Sequence, residues 1–259
     1  MVRGLYSAWT GMVNEQKRLD VIANNLANSA TVGYKKEGVT SQSFDEQLTL
    51  KIRDASADWR KERIGSMSLG TKVGEVYTDY TQGSLRPTGN AYDLALDGEG
   101  FFAIEYVNGA GERTTQYTRA GQFTLDQEGY IVDVDGNHLL AEGGSYLQVP
   151  VDAVNVVIDI NGNVIADDQY IDTIAVTDFE DYDYLKKFGE TRCYPVDGAQ
   201  TKEATGMIRQ GYTEQSNVNV VSEMVNMITI TRAYEAGQKV IQSIDSTLEQ
   251  AANSIGRVQ

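Results

Sequence analysis

Residues 227–255 of the chain read MITITRAYEAGQKVIQSIDSTLEQAANSI. Apolar residues recur here at alternating steps of three and four for about four heptads, the pattern of a helix that packs one face against another helix. We therefore predict a C-terminal helix from about Val220 to Ile255. Its stripe consists of Met227, Ile230, Tyr234, Gly237, Ile241, Ile244, Leu248, Ala251 and Ile255.

The first thirty residues carry a matching stripe. Leu5, Met12, Leu19 and Leu26 recur every seven positions, with Trp9 and Ile22 between them. This spacing predicts a helix over residues 4–29. Complementary stripes at the two ends predict helices that pair with each other in a coiled-coil-like unit, or with helices of neighbouring copies.

Several asparagines stand near the end of the N-terminal helix, including Asn24 and Asn25. Amide side chains compete for backbone hydrogen bonds, so two interpretations stay open. The amides either cap a fraying helix end or satisfy polar groups of a packed neighbour. The predicted assembly interface combines these amides with both stripes: Leu5, Trp9, Met12, Leu19, Ile22, Asn24, Asn25, Leu26, Val221, Met224, Met227, Ile230, Tyr234, Ile241, Ile244, Leu248 and Ile255.

The net charge of −15 is concentrated in the middle of the 259-residue chain. Residues 1–36 hold five basic and two acidic side chains, and residues 206–259 hold four basic and five acidic ones, which leaves −17 between them. Phosphate binding needs clustered Lys and Arg, so this balance argues against a nucleic-acid partner. The 41% of apolar residues suffices for a core.

Short apolar runs separated by Asp-Gly and Asn-Gly turns begin at Arg86. Such turns between β-branched runs predict hairpins, because glycine supplies positive φ. We predict an α+β fold: two terminal helices and a central all-β domain, a meander or barrel. The predicted segments are an N-terminal helix (1–36), an extended connection (37–85), a β-rich outer domain that folds alone (86–205), and a return connection with the C-terminal helix (206–259).

Two short motifs resemble cofactor or metal sites, but the residues around each do not fit such a site. Residues 98–103, GEGFFA, fit a dinucleotide pattern, but a strand follows where the phosphates need a helix N-terminus. Residues 133–144 start like a calcium loop but end in Gly144 instead of a bidentate Glu. We therefore expect no cofactor or metal, and structural turns at Gly98, Gly100, Gly129 and Gly136.

Catalytic and targeting signals are also missing from the sequence. Cys193 is the only cysteine and His138 the only histidine, so neither a disulfide nor a thiolate metal cluster can form within the chain. His138 has no evident nucleophile partner. Polar residues interrupt the N-terminal stripe, so we expect no cleavable signal peptide, and no apolar run is long enough for membrane insertion.

Both ends of the chain resemble a known family. Residues 19–29, LDVIANNLANS, with GYK at 33–35 resemble the N-terminal signature of bacterial flagellar basal-body rod and hook proteins. Residues 216–228, SNVNVVSEMVNMI, with RAYEA at 232–236 are similar to their C-terminal signature. Because both blocks lie in family order, the resemblance is specific.

The centre continues the same resemblance. DLALDGEGFF at residues 93–102 and YTRAGQF at 117–123 resemble the start of the family's β domain, although Ala91-Tyr92 departs from a frequent Pro-Leu and residues 143–205 match only loosely. The length suits a distal or proximal rod member better than a hook protein.

The resemblance implies a structural subunit without catalytic residues. It implies export through the flagellar type III apparatus and helical polymerisation into a hollow torque-transmitting rod, with terminal helices inside and the β domain outside. Implied partners are copies of itself, neighbouring rod and hook subunits and surrounding basal-body ring proteins. Two alternatives are a soluble extracellular β-domain protein, such as a glycan binder, and a cell-wall enzyme; only the rod interpretation explains both helical stripes.

Overall fold

The computed structural model describes residues 2–51, 62–109, 111–153 and 155–255. It has an N-terminal helix, a C-terminal helix and a β-rich centre, which confirms the predicted α+β content. Helix α1 spans Val2–Ala27 and helix α2 spans Val220–Ile255. Within these described ranges, no helix is long and apolar enough to cross a membrane.

Strands and one 3-10 helix fill the chain between α1 and α2. The first ten strands are β1 Glu37–Ser43, β2 Gln47–Lys51, β3 Glu62–Met67, β4 Thr71–Thr78, β5 Leu85–Pro87, β6 Leu94–Asp97, β7 Phe101–Val107, β8 Arg113–Thr118, β9 Phe123–Leu125 and β10 Ile131–Asp133. The others are β11 His138–Leu139, β12 Val156–Ile158, β13 Asn163–Ala166, β14 Gln169–Thr173, β15 Val176–Phe179, the 3-10 helix Tyr182–Tyr184, β16 Leu185–Phe188, β17 Arg192–Pro195, β18 Thr201–Glu203, β19 Met207–Gln210 and β20 Tyr212–Glu214.

The chain divides into two compact units whose bounds differ from the predicted segments. Unit 1 contains residues 1–26, 37–77 and 220–259, and unit 2 contains residues 27–36 and 78–219. The end of the N-terminal signature therefore belongs with the β region. Most of the predicted connection 37–85 instead forms strands that belong with the terminal helices.

In unit 1, asparagines of α1 hold strand β1. Asn25 is fully buried, and its side chain donates to Glu37 O at 2.8 Å and accepts from Glu37 N at 2.9 Å. Asn14 donates to the Ser41 hydroxyl farther along the strand, at 3.0 Å. An amide side chain can replace a strand neighbour because it offers one donor and one acceptor side by side. Asn25 thus follows the second interpretation, satisfying the polar groups of a packed neighbour.

Unit 1 also contains two two-stranded antiparallel pairs, β1 with β4 and β2 with β3. In unit 2, a nine-stranded sheet runs β16-β17-β8-β7-β11-β10-β9, and β15 joins it by pairing with β7 and β18. Strands β12, β13 and β14 form a separate antiparallel sheet. The late strands return to the early ones, since β19 pairs with β6 and β20 with β5.

The main core of unit 2 draws on strands from both ends of the unit. Phe102 and Ile104 of β7 are fully buried, and Val164 of β13 packs in the same cluster. Ile208 of β19 belongs to this core and is 2% exposed. The predicted self-sufficient segment 86–205 omits Ile208 and both late strands, β19 and β20, which pair with β6 and β5.

The predicted turn glycines all have positive φ. The angle is 119° at Gly98, 131° at Gly100, 84° at Gly129 and 83° at Gly136. Residues 98–103 run into strand β7, as predicted from their hairpin pattern. The turns that start at Asp126 and Asp133 are alike, because the glycine amide donates to the aspartate carbonyl in each.

Gly129 and Gly136 provide a matched test of backbone packing. A Cβ at Gly129 would lie 2.3 Å from Val149 O, whereas a Cβ at Gly136 would meet nothing within 4 Å. We expect Gly136→Ala to lower the free energy of unfolding by about 1–2 kcal/mol through the left-handed conformation alone. Gly129→Ala should cost clearly more, because the carbonyl must also move. Urea unfolding of both full-length variants measures this, and equal losses would contradict the steric argument.

The bounds of unit 2 can be tested with two fragments. We expect residues 27–219 to unfold cooperatively, because this fragment keeps every strand pair of the unit. Residues 86–205 should show no cooperative transition, since β5 loses β20 and the core loses Ile208. Thermal unfolding followed by circular dichroism distinguishes them. A cooperative transition for the shorter fragment would support the sequence-based boundary at 86–205 instead.

Candidate functional site

The predicted assembly residues lie on α1 and α2 but differ in exposure. Leu5, Met12, Leu19, Ile22, Leu26, Met227, Ile241 and Ile244 are half-buried, and Asn25 and Ile230 are buried. Trp9, Asn24, Val221, Met224, Tyr234 and Leu248 are exposed, and the side chain of Ile255 lies outside the described part. The set therefore mixes residues that pack within unit 1 with residues on its surface.

Two glycines mark where α1 and α2 meet within unit 1. A Cβ at Gly237 would lie 2.7 Å from Met12 Cγ, and a Cβ at Gly4 would lie 3.7 Å from Ile244 Cδ1. The order of these contacts along the two helices is antiparallel. Gly237, on the predicted stripe, is thus a point of close helix approach where a larger residue would require the Met12 side chain to move.

A second apolar face of α2 is exposed. Val221, Met224, Val225 and Ile228 are 71%, 48%, 57% and 54% exposed. Their spacing of three, one and three residues puts them on one side of the helix. Val225 and Ile228 were missed in the sequence analysis, although the i, i+3, i+4, i+7 pattern was the available signal.

Helix α1 carries an exposed apolar face of its own. Tyr6, Trp9 and Val13 are 45%, 51% and 40% exposed, and the Tyr6 and Trp9 rings lie 5.9 Å apart. Large apolar side chains grouped on a helix surface are typical of protein interaction sites. We call this group and the Val221–Ile228 group the apolar helix faces.

Unit 2 contains a buried ion network centred on Glu214. Lys35 Nζ lies 2.6 Å from Glu214 Oε1, and an Arg119 guanidinium nitrogen lies 3.4 Å from Oε2. The Lys35, Arg119 and Glu214 side chains are only 6%, 5% and 0% exposed. Burial lowers the pKa of the Lys35 amine, and the attraction of Glu214 offsets part of that effect. Glu214 therefore forms ion pairs with both buried cations.

Backbone groups complete this network. Glu214 Oε1 accepts the Gly83 amide at 2.8 Å, and the Lys35 amine donates to Thr81 O at 2.9 Å. The Gly33 amide donates to the carbonyl of Glu214 at 2.8 Å. Three chain segments distant in sequence thus converge on one residue of β20.

Asn217 lies beside the ion network and links the segments that contain residues 36 and 79. Its side-chain oxygen accepts the Lys36 amide at 2.8 Å, and its nitrogen donates to Asp79 O at 2.8 Å. The Asp79 amide in turn donates to Lys36 O at 2.8 Å. The points where the chain leaves unit 2 near residues 36, 78 and 219 are therefore linked by hydrogen bonds. We call this set with the Glu214 ion network the exit junction.

Gly33 lets the N-terminal segment enter the exit junction. Its φ is +70°, and a Cβ there would lie 2.3 Å from the backbone nitrogen of Ala120. Next to it, the Tyr34 ring is fully buried with Lys187 Nζ 4.0 Å from its centroid. Lys35 is part of the N-terminal family signature at residues 33–35. No periodicity or spacing in the sequence predicted that Glu214, Arg119 and Asn217 would lie beside it.

The side chains singled out for chemistry have structural surroundings. His138 packs against the rings of Tyr130 and Tyr146, at 5.3 and 4.7 Å between centroids, so it has ring neighbours that the sequence did not predict. Burial raises the pKa of the Cys193 thiol to about 12, which favours the unreactive protonated form. Among the described residues, no cluster of His, Cys, Asp and Glu has the arrangement of a metal site.

The comparisons with known proteins agree on one family. Three family models match: "Flagella basal body rod protein" over residues 5–35, "Flagellar hook protein FlgE/F/G D1 domain" over 95–166 and "Flagellar basal body rod FlgEFG protein C-terminal" over 209–255. The chain is 34% identical to the flagellar basal-body rod protein FlgG of Bacillus subtilis, covering 98% of this chain and 99% of that one. The chain belongs to the flagellar basal-body rod protein family.

Other relatives in the rod family extend this similarity. The FlgG rod protein of Agrobacterium fabrum is 33% identical over 94% of this chain and 96% of its own length. The hook-basal body complex protein FlhO of Bacillus subtilis is 30% identical over the full length of both. The protein is accordingly a structural subunit of the flagellar basal-body rod and not an enzyme, and it belongs in the basal body.

The exit junction predicts how strongly two charge changes affect the free energy of unfolding. Glu214→Gln should lower the free energy of unfolding by about 3–5 kcal/mol, because it leaves two buried cations without a countercharge. Arg209→Ala removes the exposed pair with Asp97, at 2.7 Å, and should cost about 0–1 kcal/mol. Urea unfolding of the full chain compares the two. Equal losses would show that Glu214 is not a stabilising centre.

Proposed function

We propose that this rod subunit polymerises helically through its terminal helices into a hollow shaft that transmits torque from the motor to the hook and carries exported subunits. The apolar helix faces support this proposal best. The face of α2 has four exposed apolar side chains and the face of α1 has three, and these groups are exposed within the described part of the subunit. Burying one such side chain contributes about 1.5–3 kcal/mol, which favours contact with neighbouring helices.

Within a subunit, we propose that α1 and α2 pair along the heptad stripe as a coiled-coil-like unit. The close contacts at Gly237 and Gly4 and the buried Ile230 support this pairing. The predicted interface then has two roles: the inward stripe joins the helices of one subunit, and the exposed faces join different subunits. The β-rich unit forms the barrel-like outer layer of the shaft in this arrangement.

Torque transmission gives the exit junction a mechanical role in this proposal. A shaft needs each outer unit to resist rotation about the chain segments that leave it. The hydrogen bonds of Asn217 and the ion pairs of Glu214 fix three of those segments to one another. We assign the exit junction the role of keeping unit 2 rigid at these points.

The proposed partners are other copies of this chain, neighbouring rod and hook subunits, and the ring proteins that surround the rod. We propose export through the flagellar type III apparatus without a cleavable signal peptide. Helix α1 is part of the folded subunit in this proposal, because its Asn14 and Asn25 side chains form hydrogen bonds with strand β1. A distal position within the rod stays a prediction.

The exposed and buried faces of α2 separate assembly from folding. We expect Ile228→Asp to abolish rod incorporation and swimming while leaving the melting temperature unchanged, because the charge meets solvent in the monomer and an apolar surface in the polymer. Ile230→Asp should lower the melting temperature, since Ile230 is 3% exposed within the subunit. Motility assays, basal-body imaging and thermal melting provide the measurements.

Asn226→Asp is the matched control for these variants. It adds a charge on the same exposed helix turn, and it leaves the apolar residues intact. Normal swimming is expected for this variant. If Ile228→Asp also swam normally with unchanged protein level, the assembly role of the apolar helix faces would be rejected.

A further inference from the structure

The two apolar helix faces match each other in length and differ in side-chain size. The α1 face covers residues 6–13 and the α2 face covers residues 221–228, so each extends over about two helical turns. The α1 face presents the rings of Tyr6 and Trp9, whereas the exposed apolar residues of the α2 face are Val, Met and Ile. Large rings pack well against smaller aliphatic side chains, so one face can bury the other.

Two different faces on one subunit fit an open polymer. A closed dimer buries the same surface of both copies, whereas a helical filament joins one surface of each copy to a different surface of the next. Both faces lie in unit 1, and both are exposed although α1 and α2 already contact each other there. Each copy can therefore contact one neighbour through α1 and another through α2.

Charged residues beyond each face distinguish the two possible packing directions. Lys17 and Asp20 continue the α1 face toward its C-terminal end, and the exposed Arg232 and Glu235 continue the α2 face in the same way. Parallel packing in register would put Lys17 against Arg232, and Asp20 against Glu235, and like charges across a contact are unfavourable. Antiparallel packing avoids both clashes, because each charged pair then lies beyond the end of the facing apolar residues.

The arrangement of the subunit favours the same direction. Within unit 1 the helices are antiparallel, since Gly4 lies near Ile244 and Gly237 lies near Met12. Copies in a straight helical shaft share one orientation relative to its axis. Where the helices follow that axis, α1 of one copy is therefore antiparallel to α2 of any other copy. The charge pattern and the polymer symmetry agree on antiparallel packing.

The antiparallel match also gives the displacement between two copies. When the apolar residues are aligned, Val13 of one copy faces Val221 of the next. Within a subunit, the contact of Met12 with Gly237 places Val13 near Ala236 instead. The two alignments differ by about 15 residues, which is about 22 Å along α2 at a rise of about 1.5 Å per residue.

We propose that the α2 face of one copy binds the α1 face of the next copy, antiparallel and displaced by about 22 Å along the helices. The inference rests on the assembly through terminal helices proposed above and specifies which surfaces meet. Trp9 is the central anchor, because it is 51% exposed in the subunit and faces Met224 and Val225 of the next copy. Repetition of this contact produces an open chain of subunits.

Disulfide cross-linking in assembled rods tests this alignment. Val13→Cys and Val221→Cys are combined in one full-length chain, and isolated basal bodies are oxidised; the native Cys193 is buried. A disulfide needs Cα atoms within about 7 Å, and within one copy about 15 residues of helix separate the two positions. Disulfides can therefore form only between copies. We expect a ladder of dimers, trimers and larger products on non-reducing gels.

Val13→Cys combined with Ile228→Cys is the matched control, because these positions meet only if the helices pack in parallel. Its cross-link yield should be lower by about tenfold or more, since Ile228 lies about 10 Å from Val221 along α2. Each single substitution should give no ladder. Tyr6→Cys combined with Ile228→Cys reports the antiparallel alignment at the other end of the faces, and it provides the measurement if the first pair lowers assembly.

Two results would overturn the inference: no ladder from either antiparallel pair in basal bodies that are complete by imaging, or a stronger ladder from the parallel control. If Ile228→Asp still blocks rod incorporation in those cases, assembly through the terminal helices stands and only the pairing of the faces is wrong. Normal swimming of Ile228→Asp would instead reject the assembly proposal, and this inference with it. The two failures are therefore distinguishable.

Discussion

The structure of unit 2 depends on one buried carboxylate. Glu214 binds the Lys35 amine and the Arg119 guanidinium and also accepts the Gly83 amide. A buried charge without such partners would be strongly unfavourable, so the segments that contain residues 35, 83 and 119 must all be in place before β20 is stable. This requirement couples the N-terminal segment, the first β-strands of the unit and its last strand.

Close backbone approach is the second constraint around the same centre. Gly33 lies against Ala120, Gly83 against Gln215 and Gly121 against Leu94, with a Cβ at each predicted to overlap backbone atoms at 2.3, 1.8 and 1.5 Å. Side chains at these positions would separate the segments and stretch the ion pairs of Glu214. The glycines and the charges therefore act together: the glycines allow the segments to approach, and the charges hold them there. The apolar helix faces lie outside this buried centre, on the surface of unit 1.

Local patterns explain which parts of the fold were predictable. The heptad stripe from Met227 to Ile255 predicted the C-terminal helix, observed as Val220–Ile255, because helical periodicity depends on residues a few positions apart. The Asp-Gly turns likewise predicted hairpins and positive φ at Gly129 and Gly136, since this conformation is a property of the residue itself. The bounds of the two units could not be predicted from such local patterns. The sequence shows that Ile208 is apolar but not where it packs. Only the pairing of β19 with β6 places Ile208 in the core of unit 2.

The sequence by itself determined the helices, the hairpin turns and the family, because each follows from short-range periodicity or from motifs that remain contiguous in the chain. Only the tertiary structure decided which helix residues face outward, as Ile228 and Ile230 are both apolar yet 54% and 3% exposed. It also decided that Lys35 pairs with Glu214, 179 positions away. Periodicity carries no information on such pairs, because an ion pair between distant residues depends on how the strands between them bring the segments together.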